Sequence, residues 1–90
     1  SNRESGEGRF DIELQPKSRG GHGYIMEFKA CREAELEKMA DSAVVQIKQK
    51  GYTTNLEKRG VAKIGMFGVA FSGKKVNVAY EEYSVKKHRK

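Results

Sequence analysis

The sequence predicts an α/β domain, a mixed β-sheet with one long helix packed on a face, in the order β-β-α-β-β. Three patterns lead there. Apolar and polar residues alternate around Phe10, Ile12 and Leu14, and again from Tyr24 to Ala30, with the two-residue period of a strand. Leu36, Met39, Ala40, Ala43, Val44 and Ile47 then recur at helical spacing along one face. Finally, Ala62 to Phe71 is apolar on both alternating sides, as a central strand is. A strand, a helix and a parallel strand of one sheet would require a right-handed crossover.

The first strand places Phe10, Ile12 and Leu14 on one face and Asp11, Glu13 and Gln15 on the other, and Pro16 closes it. Lys17 to His22 is a polar, glycine-rich turn, so the first two strands form a hairpin or near-hairpin. The second strand runs from Gly23 to Cys31. On it Ile25, Glu27, Lys29 and Cys31 share one side, and Tyr24, Met26, Phe28 and Ala30 the other. The helix spans residues 33 to 50. Glu33, Glu35 and Glu37 load its start, Lys48 and Lys50 its end, and Gly51 stops it. It is expected to cover the face bearing Tyr24, Met26 and Phe28. A short second helix over Thr54 to Arg59 precedes the central strand. Ser72 to Lys75 then turns the chain into a more polar edge strand, Val76 to Tyr80.

The 90 residues make one domain, 1–90, with a basic tail over 84–90. At this length only about 60% of the unfolded chain's surface is buried on folding, so the core is modest. No apolar run approaches the roughly 20 residues of a membrane span, and no signal-peptide pattern is present. One cysteine, Cys31, cannot form an internal disulfide, which suits a cytoplasmic setting. The net charge of +6 favours a polyanionic partner. The chain opens on Ser1 and reaches strand-like sequence by Arg9, which reads as a piece of a longer protein.

Glu27-Phe28-Lys29 is the most informative triplet. An acid and a base two positions apart on a strand stand side by side. If the first two strands pair with Asp11 near Glu27, two carboxylates and an ammonium meet, which is a divalent-metal site with a cation beside it. The plainer alternative is a surface salt bridge. Neither His22 nor His88 suggests a zinc site, and Gly20-Gly21-His22-Gly23 lacks the lysine of a phosphate loop.

Asp11 on one strand, Glu27-Phe28-Lys29 on the next and a helix behind them resemble the PD-(D/E)XK nuclease superfamily, with Phe10 in the place of the proline. More narrowly, the chain is similar to the nuclease-type domain at the C-terminus of bacterial AAA-ATPase-like proteins. The matching stretches are Asn2-Arg3-Glu4-Ser5-Gly6, Gly8-Arg9-Phe10-Asp11, Glu27-Phe28-Lys29, Gln46-Ile47 with Tyr52, and Phe71 to Val76. The resemblance implies a restriction-endonuclease-like sheet whose N-terminal helix is missing here, with Glu4 as the nearest supplementary acid. It implies a Mg²⁺-dependent nuclease (Mn²⁺ as substitute) with Asp11 and Glu27 as ligands, aided by the Phe28 carbonyl. Lys29 would orient or deprotonate the attacking water. Gln46, Tyr52 and Arg9 are candidate substrate contacts. The implied partners are nucleic acid, DNA ahead of RNA, and an N-terminal ATPase-like region. The alternatives are a catalytically idle domain of the same fold, binding nucleic acid or protein, and an unrelated nucleic-acid-binding α/β module. Ile25 and part of the central strand are expected on an open second face, so that a fragment of this kind would pair as a two-fold dimer or depend on the rest of its parent chain for solubility.

Overall fold

The computed structural model describes residues 9–15 and 20–85, the side chains of Arg9 and Phe10 excepted. The strands β1 (Arg9–Leu14), β2 (His22–Ala30), β3 (Lys63–Ser72) and β4 (Lys75–Ser84) form one sheet in the order β1-β2-β3-β4. β1 and β2 run antiparallel, β2 and β3 parallel, and β3 and β4 antiparallel. Two helices make the crossover between the parallel pair: α1 (Leu36–Gln49), entered through a 3-10 turn at Glu33–Glu35, and α2 (Tyr52–Lys58). No helix among the described residues is long and apolar enough to cross a membrane.

The element boundaries differ from the expected ones in instructive ways. The start of the expected helix at 33–35 winds as a 3-10 turn, and neither Arg32 before it nor Glu35 before α1 caps with its side chain among the described residues. Gly51 adopts φ 77°, a left-handed conformation that costs glycine little, and α2 restarts at once at Tyr52 rather than Thr54. β4 is twice as long as Val76 to Tyr80 suggested, because its partner β3 pairs with it from Lys63↔Ser84 to Ser72↔Lys75. Ser84 therefore belongs to the sheet, and the Val85 amide donates to the Ala62 carbonyl at 2.8 Å. The rest of the expected tail, 86–90, lies outside the described residues, as do Glu4 and most of the turn after β1.

The helix covers the opposite face of the sheet from the one expected. Ile25, placed by the sequence pattern on an open face, is fully buried with Val44, Ile47, Leu56, Val61, Ile64 and Met66. The reason is size. Parallel register sets Ile25 beside Met66, Glu27 beside Gly68 and Lys29 beside Ala70. A Cβ on Gly68 would lie 2.1 Å from the Ala40 carbonyl oxygen of α1 and 2.9 Å from Ala43 Cβ. Small residues thus let the helix backbone come down onto the sheet on this side. The other side carries Tyr24, Met26, Phe28, Phe67, Val69 and Phe71, which are too bulky for such an approach and stay half-buried.

Candidate active site

Pairing of β1 with β2 puts Asp11 directly opposite Glu27. Strand alternation places both side chains on the α1 side, so the charged face of the hairpin is the covered face. Glu27 has no exposed surface, and Lys29 is 6% exposed. A carboxylate removed from water needs cationic or hydrogen-bonding partners. Among the described residues two cations stand beside Glu27: Lys29 Nζ lies 3.7 Å from its Oε2, and Lys50 Nζ 3.4 Å from its Oε1. Lys50 Nζ also lies 3.7 Å from Asp11 Oδ2. The Tyr52 hydroxyl donates to that same Asp11 oxygen, and Lys50 rests 5.7 Å from the centre of the Tyr52 ring.

Two elements converge to build this cluster. The β-hairpin contributes Asp11, Glu27 and Lys29. The α1–α2 corner contributes Lys50 and Tyr52, swung toward the sheet by the left-handed turn at Gly51. An open cleft lined by Asp11, Ile12, Glu13, Ile25 and Tyr52 gives solvent access at the β1 edge. Gln46 sits one helical turn before Lys50, and its Oε1 is buried without a hydrogen-bond partner among the described residues.

The candidate residues fare differently. Asp11, Glu27, Lys29 and Tyr52 come together, and Gln46 lies on the same helix face as Lys50. Phe28 points its side chain to the opposite face, so that only its main chain could serve the site. Arg9 pairs with Lys29 across the hairpin, but its side chain lies outside the described residues. Lys50 was missed by sequence reasoning, because a lysine in a last helical turn is already explained by the helix dipole. Its two-residue distance from Tyr52, across a helix-stopping glycine, was the available signal.

The donor set suits a hard divalent cation. No group of three or more His, Cys, Asp or Glu side chains that could hold a metal occurs among the described residues. Two carboxylates nevertheless converge closely enough for a single ammonium, that of Lys50, to reach both. Mg²⁺ is commonly held by one or two carboxylates, with water completing its shell.

Comparison with known families matches residues 1–81 to the PD-(D/E)XK nuclease superfamily. No curated protein matches the chain, and no solved structure does.

Proposed function

The chain belongs to the PD-(D/E)XK nuclease superfamily, and from that premise we propose that it hydrolyses phosphodiester bonds in nucleic acid with the aid of Mg²⁺. The observation that carries this reading is the convergence of Asp11 and Glu27 on one cation position, with Lys29 fixed beside Glu27. Asp11 and Glu27 would hold the ion, which when bound supplies charge relief at the phosphate and a polarised water. Lys29 is held on a strand under the helix, so its ammonium is pre-positioned to hydrogen-bond the attacking water or a phosphate oxygen. Gln46 offers a buried acceptor that a water of the site would satisfy. Tyr52 orients Asp11 through its hydroxyl. The net charge of +6 draws the polyanion toward the cleft.

We read the domain further as the nuclease-type unit of an ATPase-like parent chain, a reading supported by the ordered set of matching stretches from Asn2 to Val76. DNA is the preferred substrate over RNA in that reading.

The test is a cleavage assay on duplex DNA, single-stranded DNA and RNA, with Mg²⁺, with Mn²⁺ and with excess chelator. Metal-dependent cleavage that disappears in Asp11→Ala is expected. Asp11 is the informative position because it is solvent-exposed, and its loss spares the core. Cleavage in chelator, or equal cleavage by wild type and Asp11→Ala, would sink the assignment. Tight binding of nucleic acid without cleavage in either metal would put a catalytically idle binding module in its place.

A further inference from the structure

Lys50 occupies the point on which the two carboxylates converge. Its Nζ lies 3.4 Å from Glu27 Oε1 and 3.7 Å from Asp11 Oδ2, distances that no divalent ion bound to the same oxygens could share without strong like-charge repulsion. The two lysines of the cluster differ in freedom. Lys29 projects from the C-terminal end of β2 and its side chain is only 8% exposed, whereas the Lys50 side chain is 32% exposed. Lys50 also stands at the C-cap of α1, followed by Gly51 at φ 77°. Its long stem can therefore swing outward across the Tyr52 ring, on which the ammonium already rests at 5.7 Å.

We infer that Lys50 is a tethered counter-cation: it neutralises Asp11 and Glu27 in the metal-free domain and yields its position when a divalent ion is bound. The inference rests on the metal-site reading of those two carboxylates. Lys50 is on this account a positioning residue, which keeps two facing carboxylates from repelling one another and sets how tightly the site takes a metal. It gives up two ion pairs on leaving, and the metal affinity of the intact domain is reduced accordingly. The neighbouring Tyr52 keeps its hydrogen bond to Asp11 in either state, so the aspartate stays aimed at the site while the lysine moves.

The experiment is a calorimetric titration of Mn²⁺ and of Mg²⁺ into the wild-type protein, Lys50→Met and Lys50→Arg, with thermal melts of each in chelator. Lys50→Met keeps the apolar stem and removes the charge. It is expected to bind Mn²⁺ roughly tenfold more tightly than wild type, to melt lower than wild type in chelator, and to regain that loss when metal is added. Lys50→Arg keeps the charge and is expected to bind as weakly as wild type. Equal or weaker metal binding by Lys50→Met, in a protein whose melt shows it folded, would overturn the role of Lys50 and leave the metal site standing. Absence of metal binding in all three proteins would overturn both.

Discussion

Glu27 has left water entirely, and its surroundings decide what each neighbouring substitution does. Replacing Lys29 by Met removes one cation beside Glu27 while Lys50 remains. The expected cost in stability is about 2 kcal/mol, below the full penalty of stranding a buried charge. Mn²⁺ should still bind, because a protonated lysine ligates nothing. Cleavage should fall about 10²- to 10⁴-fold, the usual weight of a positioned proton-handling group. Calorimetry and a single-turnover cleavage assay on the same preparation separate the two effects, and parallel loss of metal and activity would contradict the role given to Lys29. Gln46 gives a second prediction. Its Oε1 is buried with no hydrogen-bond partner among the described residues, so Gln46→Met breaks no described hydrogen bond and should leave stability within about 0.5 kcal/mol while lowering cleavage. A denaturant melt showing Gln46→Met less stable, with activity intact, would make Gln46 a structural residue. The juxtaposition of Asp11, Glu27 and Lys29 was legible in the sequence, because strand parity and a short turn allow few other arrangements. Lys50 was not, because its partners lie 39 and 23 positions away and are reached only through the crossover.

At the scale of elements, α1 is held against the sheet by absence of volume as much as by apolar contact. Gly68 is the floor on which Ala40 and Ala43 rest. Gly68→Ala would force a backbone carbonyl aside, because no flexible side-chain tip is there to give way. We expect a cost of roughly 2–3 kcal/mol from overpacking. Tilting α1 away would also carry Gln46 and Lys50 from the carboxylates, so Gly68→Ala should alter metal affinity although it touches no ligand. A chemical-denaturation curve and a Mn²⁺ titration test both consequences, and wild-type values in both would show that the approach is looser than the structure has it. The polar ties of the helices to β4, Lys48 of α1 to Glu81 at 2.5 Å and the Tyr83 hydroxyl to Glu57 of α2 at 2.6 Å, are exposed and worth little by comparison. That a long amphipathic helix follows β2 could be read from its periodicity. Which face it covers could not, because hydropathy ranks Tyr24, Met26 and Phe28 as the more buriable set. Steric fit between small residues on β3 and α1 outweighs that ranking, and it depends on a register that only the folded sheet supplies.

For the molecule as a whole, the consequence is a sheet whose two faces differ in kind. One is closed over a small core in which Ile25, Ile47, Leu56 and Ile64 have no exposed surface. The other shows Val76 at 58% exposure, Val78 at 53% and Tyr80 at 45%, with the Phe67 ring tilted against that of Tyr80 at 4.6 Å and Ile12 and Leu14 at the far edge. Apolar surface left in water gains nothing from the roughly 25 cal/mol per Å² that burial provides. Substitutions should therefore weigh very differently on the two sides. Ile47→Ala removes atoms from a closed core and is expected to cost about 2–5 kcal/mol. Joint replacement Val76→Thr and Val78→Thr acts on already wetted side chains that keep their β-branched fit to a strand, and it should move stability by about 0.5 kcal/mol or less per site. It should, however, weaken the fluorescence of an apolar-surface dye added to the folded domain, which Ile47→Ala at a temperature well below its melt should not. A large loss of stability in the threonine double variant, with no change in dye signal, would mean that this face is covered in the folded protein and that the sheet has no open side.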